Sequence, residues 1–346
     1  MSRSVLYALT AAVLFGASTP LAKLLLGTMS PWMLAGVLYL GSGIGLGVLR
    51  LVRDRGWRTS GLTPAEWPWL LGSIFFGGIV APVCLLFGLS AASSSSASLL
   101  LNLEAVLTAL IAWLAFKENA DRRVVLGMVA IVAGGVVLAW PSGEITLTNA
   151  FGPLAIAAAC LCWAVDNNLT RKVSASDALF IAGAKGLIAG TINMALALLV
   201  GAQLPTTAKF FAAMLVGLGG YGISLVMFVL ALRGLGAART GAYFATAPFI
   251  GAAMAVALLG DTTTPTFWLA SLLMSLGVWL HLTERHDHLH THEPLAHAHS
   301  HRHDDHHQHA HDPGWDGQEP HAHPHDHAEI THKHPHFPDI HHRHTH

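Results

Sequence analysis

Long apolar runs alternate with short polar breaks from Met1 to about residue 283, and there the pattern stops. A bilayer core of about 30 Å takes roughly 20 helical residues. Ten runs meet that length, at about 4–26, 31–52, 67–89, 92–116, 122–140, 150–168, 177–200, 209–232, 237–259 and 265–283. Helix is the element expected for each, because lipid offers no partner to a backbone N–H or C=O. Residues 67–103 contain no charged side chain, and Ser90-Ala91-Ala92-Ser93 supplies the turn between the two spans they serve. The apolar start, Met1 to Lys23, lacks a small-residue cleavage site followed by a soluble domain, so it is read as the first span. The expected fold class is an all-α integral membrane protein.

Composition supports this reading. Hydrophobic residues make up 53% and charged residues 11%, whereas a soluble domain carries about 25% charged residues. Cys84, Cys160 and Cys162 all fall in apolar runs, which excludes a secreted disulfide framework.

Charge then sets the orientation. With a cytoplasmic N-terminus, 12 Lys and Arg fall in inner loops and two, Lys23 and Lys209, in outer ones. Cytoplasmic loops collect such residues, so both termini are expected in the cytoplasm, with a bacterial inner (plasma) membrane as the location. Trp32, Trp67, Trp69, Trp140, Trp268 and Trp279 sit at span ends, where amphipathic rings favour the interface.

A repeat emerges at an offset of 143, which places Leu89 on Leu232, Ala109 on Ala252, Glu118 on Asp261 and Gly134 on Gly277. Residues 15–23, FGASTPLAK, match 163–171, WAVDNNLTR, at an offset of 148, each opening on an aromatic–small pair and closing on a basic residue. Two halves of five spans follow. Five is odd, so the second half enters the membrane inverted, a recurrent plan of secondary transporters. The expected divisions are 1–143, 144–283 and a tail, 284–346.

On these residues the chain from about 5 to 280 resembles the drug/metabolite transporter superfamily, EamA type. Spans four and nine of that family carry a Glu-Pro pair and a later Leu-Gly-Glu. Here the pair is split, as Glu104-Ala105 and Ala247-Pro248, and the endings are Phe116-Lys117-Glu118 and Leu259-Gly260-Asp261. The resemblance implies secondary transport, often export of metabolites, without naming the substrate.

Polar groups inside spans cost free energy and are functional candidates. Glu104 lies near the middle of span four, Lys185 in the cytoplasmic half of span seven, and Asp166, Asn167 and Asn168 toward the inner end of span six. A buried carboxyl can take up and release a proton during transport. Lys185 can hold a substrate carboxylate, or neutralise Glu104 or Asp166. Pro20 and Pro248 can break their helices and free carbonyls, although proline kinks are ordinary in spans. Cys162 and Asp166, four residues apart, share a helix face and form a candidate intramembrane metal pair.

The tail has a different chemistry. All 24 histidines lie at or beyond His281, and 23 of them fall in 284–346 together with six prolines. Such a segment has too little apolar material for a core and is expected to be disordered and cytoplasmic. Its unit is His-x-His: His286, His288, His290 and His292; His297, His299, His301 and His303; His307, His309 and His311; His321, His323, His325 and His327; His332, His334 and His336; His342, His344 and His346. Alternate residues of an extended chain point the same way. Neighbouring imidazoles can therefore converge on zinc, nickel, cobalt or copper(II).

Three functions compete: a secondary exporter of a small organic metabolite with a metal-binding regulatory or buffering tail; a nickel, cobalt or zinc exporter fed by the tail; and a membrane-anchored metal sensor or store. No P-loop occurs, which argues against an ATP-driven pump, and no enzymatic site is expected. The transporter needs no cofactor. Its partners are the lipid bilayer and a small-molecule or metal-ion substrate, with no role for nucleic acid and a homodimer left open.

Overall fold

The computed structural model describes residues 3–57, 59–116, 122–140, 147–174, 176–283, 287–292, 295–301, 321–327 and 330–335. Among the described residues, ten helices are long and apolar enough to cross a membrane: span 1 Arg3–Leu26, span 2 Pro31–Asp54, span 3 Trp67–Ser90, span 4 Ser94–Ala115, span 5 Arg122–Ala139, span 6 Ala150–Arg171, span 7 Ala178–Leu199, span 8 Thr207–Ala231, span 9 Thr240–Leu259 and span 10 Pro265–Leu282. Each boundary falls within three residues of its expectation from the apolar runs. Side chains such as Leu24, Val52, Leu114, Leu199 and Leu272 remain exposed on the outside of the bundle. A large apolar exterior is what a lipid solvent requires and what water would forbid.

Local chemistry sets the ends. Ser30 caps span 2 by accepting from Met33 N–H, with Pro31 in the first turn. Thr264 and Pro265 do the same for span 10. Asp177 caps span 7 by accepting from the N–H groups of Leu179 and Phe180. In each case an oxygen satisfies a donor that the helix start leaves unpaired.

Packing obeys the repeat. Span 2 packs on span 7, and span 5 on span 10. Span 1 packs on spans 8 and 9, while span 6 packs on spans 3 and 4. Adding five to each number, and counting past ten from one, maps this set of pairs onto itself, as two inverted five-helix repeats demand. Spans 2 and 7 cross closely, so that a Cβ on Gly43 would lie 2.2 Å from Leu187 N and one on Gly186 would lie 2.4 Å from Gly43 N. Small residues permit this approach, which dispersion then rewards.

The tail contributes four short strands among the described residues. They are β1 Asp287–His292, β2 Leu295–His301, β3 His321–His327 and β4 Ile330–Pro335. β1 pairs antiparallel with β4, and β2 with β3. The alternation places His288 opposite His334, His290 opposite His332, His297 opposite His325 and His299 opposite His323. These pairings were not expected from the sequence. A two-stranded ladder is at best marginal by itself in water, so the reading of a tail without its own core is unaltered. His286, His303, His307, His309, His311, His336, His342, His344 and His346 lie outside the described residues.

Candidate substrate cavity

The site begins where two spans break. Span 4 is helical over Ser94–Leu100 and again over Leu103–Phe116. Between them Leu101 and Asn102 form a turn, with the N–H groups of Leu101, Asn102 and Glu104 each bonded three residues back. Asn102 helps break the ladder, because its own Nδ2 donates to Leu99 O at 3.0 Å. Span 9 breaks in the corresponding place, at Ala245 and Thr246, before the helix Ala247–Met254. There Thr246 Oγ1 donates to Tyr243 O at 2.7 Å, and Pro248 supplies no N–H. Pro248 thus belongs to a break, as the sequence allowed. Pro20 does not, because it sits inside the continuous helix Arg3–Leu26.

Glu104 occupies the first turn of the second half-helix of span 4. A helix N-terminus favours negative charge. Asn167 Nδ2 donates to Glu104 Oε1 at 2.8 Å. Among the described residues no ion pair reaches Glu104. Lys185 lies elsewhere: its Nζ meets Asp166 Oδ1 at 2.6 Å and Oδ2 at 2.5 Å. Of the three roles open to Lys185, the geometry selects neutralisation of Asp166. Thr170 Oγ1 also donates to Asp166, at 2.9 Å. Asn168 turns away to the carbonyls of Ala164 and Thr108.

Glu104, Asp166, Asn167 and Lys185 line a cavity of about 570 Å³, counted with its open mouth. Its wall is aromatic, formed by Phe15, Tyr39, Trp163, Tyr221, Phe228 and Phe244. The rings touch in series: Tyr39 with Tyr221 at 5.2 Å between centroids, Tyr221 with Phe15 at 5.9 Å, Phe15 with Phe244 at 5.3 Å, and Phe244 with Phe228 at 5.0 Å. Trp163 meets Phe15 edge-on at 5.8 Å. The polar ends of Tyr39 and Trp163 both donate to Gly77 O, at 2.7 and 3.0 Å.

Gly77 belongs to a wide, π-helical turn, Ile74–Val80 in span 3, and span 8 has its counterpart at Leu218–Ile223. Such turns displace carbonyls from the regular ladder and recur at functional sites. A Cβ on Gly77 would lie 1.9 Å from Asp166 Oδ2, so only glycine leaves room for the carboxylate.

The two ends of the bundle differ. At the end holding Leu26, Ser90 and Leu259, Lys23 Nζ donates to Leu89 O at 2.5 Å and Ala92 O at 2.8 Å. Asp261 accepts from Ser95 N–H at 2.7 Å at the same end. Span 1 is pressed onto span 9 near the middle of both, since a Cβ on Gly16 would lie 2.4 Å from Ala247 O. At the opposite end, Arg50 and Arg53 hold Asp177, and Arg53 also holds Asp54. Burial works to raise the pKa of Asp177, but hydrogen bonds from Arg53 and Arg50 and from the Leu179 N–H outweigh it and leave the pKa lowered. The cavity lining includes Ala182, Lys185, Leu225, Phe228 and Phe244, which belong to the halves of spans 7, 8 and 9 nearer this second end.

The candidate intramembrane metal pair is not assembled. Asp166 is committed to Lys185, and Cys162 packs at the edge of the main apolar core. Among the described residues no group of three or more His, Cys, Asp and Glu side chains could hold an ion. Neither the aromatic wall nor the π-helical turns are legible in the sequence pattern. The one available signal was the match of Phe15 with Trp163 in the repeat.

Comparison with known proteins agrees with this architecture. The model of the EamA-like transporter family matches twice, over residues 2–140 and 150–283. An uncharacterized transporter of Methanothermobacter thermautotrophicus is 27% identical over 288 residues, covering 79% of this chain and 84% of its own. A crystal structure with 20% sequence identity superposes with a TM-score of 0.63, covering 82% of this chain and 99% of its own, and so shares the fold.

Proposed function

The chain belongs to the EamA-like transporter family and is a transmembrane transporter of small molecules, and from that premise we propose that it is an ATP-independent exporter of a small organic metabolite working by alternating access. The observation that carries this reading is the central cavity between two broken helices, with Glu104 at the start of one half-helix. Discontinuous spans at a repeat interface are how secondary transporters build midplane sites. The 12-to-2 excess of Lys and Arg puts the Arg50–Arg53 end in the cytoplasm. The Lys23–Asp261 end is then external, and the cavity, lined from the opposite halves of spans 7, 8 and 9, faces inward. An exporter loads from that side.

In this reading Glu104, Asn167, Asp166 and Lys185 line the path, Pro248 keeps span 9 broken, and Pro20 is a packing residue of span 1. The halves divide near 143. The tail of 284–346 hangs in the cytoplasm, where its histidines bind zinc, nickel, cobalt or copper(II) and regulate or buffer. Metal export is the weaker reading, because the only acid beside Cys162 on its helix face is already neutralised by Lys185.

Uptake into inverted vesicles, driven by an imposed proton gradient and read across a panel of metabolites, tests the proposal. Glu104→Gln is expected to abolish accumulation while the protein remains in the membrane. Full accumulation by that variant overturns it.

A further inference from the structure

Serines precede the break in span 4 at positions 93–96 and 98, and their hydroxyls divide into two groups. Those of Ser93 and Ser95 bond each other at 3.3 Å at the outer end of the span, where Ser93 also accepts from Ser96 N–H. Ser94 and Ser98 differ. They lie one helical turn apart on a common face, at 0% and 1% exposure. Neither Oγ atom has a partner among the described residues. Four residues further on, across the Leu101–Asn102 turn, Asn102 Oδ1 is a third such oxygen, on a side chain 1% exposed.

Buried oxygens are ordinarily paired, and one left without a partner costs free energy. These three follow the half-helix Ser94–Leu100, the stretch of span 4 between its outer end and Glu104. What covers Ser98 is backbone. A Cβ on Gly251 of span 9 would lie 2.8 Å from Ser98 Oγ and 2.7 Å from Gly16 O of span 1. Spans 1, 4 and 9 thus meet at glycines that offer Ser98 no side chain. In the second half of the chain, the offset of 143 places Ala237, Gly241 and Ala245 at the same three positions. No side-chain oxygen stands there, so the repeat itself does not call for one. The oxygens are particular to the outer half-helix.

We propose that the face of span 4 carrying Ser94, Ser98 and Asn102 is a wall of the external exit. It is shut in this conformation by Gly16 and Gly251, and it meets water and polar cargo when spans 1 and 9 withdraw. The proposal rests on the exporter reading and its orientation, and adds the outward route. Opening hands each oxygen a hydrogen-bond partner that closing removes. The serines therefore favour the outward-open form more than alanines would.

Thiol accessibility tests this in the full-length protein with Cys84, Cys160 and Cys162 replaced by alanine. The probe is a membrane-impermeant methanethiosulfonate, applied to right-side-out and to inverted membrane vesicles. Ser94→Cys and Ser98→Cys are expected to react from the external side. Ala97→Cys, at a position 0% exposed within the main apolar core, should stay silent. Ser94→Ala placed beside Ser98→Cys should slow that reaction about fivefold, because one unpaired oxygen has left the closed form. The proposal is overturned by absence of external reaction at both serine positions, by reaction from inverted vesicles alone, or by equal reaction at Ala97→Cys. Should the cysteine variants fold poorly, the melting temperature of Ser94→Ala/Ser98→Ala in detergent decides. An unchanged or higher value is expected; a fall of several degrees would show both hydroxyls to be paired in the closed form and overturns the exit wall. None of these readouts uses the cargo, so they stand apart from failure of metabolite uptake in the vesicle assay.

Discussion

Phe15 and Trp163 hold the same place in the two halves of the chain, and they meet each other edge-to-face with ring centroids 5.8 Å apart. The pseudo-two-fold axis therefore passes close to the cavity wall, and the repeat closes on itself there. A transporter that exchanges the roles of its halves must repack such a contact.

Phe15→Ala and Trp163→Ala should each reduce transport by tenfold or more, since both rings line the cavity. Their effects on stability should be non-additive by about 0.5–1.5 kcal/mol, the range measured for aromatic pairs in double-mutant cycles. Thermal unfolding of the two single variants and the double variant in detergent measures this coupling.

The Asp166–Lys185 pair predicts an asymmetric result. Lys185→Met strands a buried carboxylate and should cost about 3–5 kcal/mol, whereas Asp166→Leu combined with Lys185→Met should recover most of that loss. Calorimetric melting separates the cases. Equal destabilisation in the single and double variants would show that the pair is not an isolated unit.

Gly186→Ala drives a Cβ to 2.4 Å from Gly43 N, a backbone atom that cannot swing aside. Overpacking of this kind costs about 1–3 kcal/mol. Gly47→Ala on the same span 2 helix meets nothing within 4 Å and should leave the melting temperature unchanged or higher.

Asp177, at the start of span 7, has a lowered pKa because hydrogen bonds from Arg53, Arg50 and the helix N-terminus overcome the effect of burial. A carboxyl with a depressed folded-state pKa stabilises the protein above its unfolded value. That contribution is lost as pH falls below about 4, through the lowered folded value. Asp177→Asn should lower stability at neutral pH and flatten the acid limb of a stability–pH curve. A curve parallel to that of the unaltered protein would remove this role.

The tail gives a prediction independent of the membrane domain. Equilibrium dialysis against nickel or zinc at pH 7.5 should show several ions bound to the full-length protein and few after deletion of residues 284–346. At pH 5.5 binding should collapse, because a ligating imidazole must be deprotonated. Equal retention of metal by the deletion variant would place the ions elsewhere.

The sequence by itself determined the ten spans, because apolar length is a local quantity that lipid tests one helix at a time. It also determined the inverted halves, through the match of Phe15 with Trp163 and of Gly134 with Gly277. It offered Glu104, Asp166, Asn167 and Lys185 as candidates, because polar groups in lipid need a reason. The structure alone decided how those candidates divide. Lys185 could have neutralised either acid, and only the tertiary arrangement, in which Asp166 lies against Gly77 and Lys185 against Gly78 of span 3, assigns it to Asp166 and leaves Glu104 to Asn167. Neither that partnership nor the ring series from Tyr39 to Phe228 could be read along the chain, because their members lie on different spans and meet only through tertiary packing. The break in span 4 falls between the two cases. Asn102 supplies a local cause, but the value of the break depends on what faces it across the cavity.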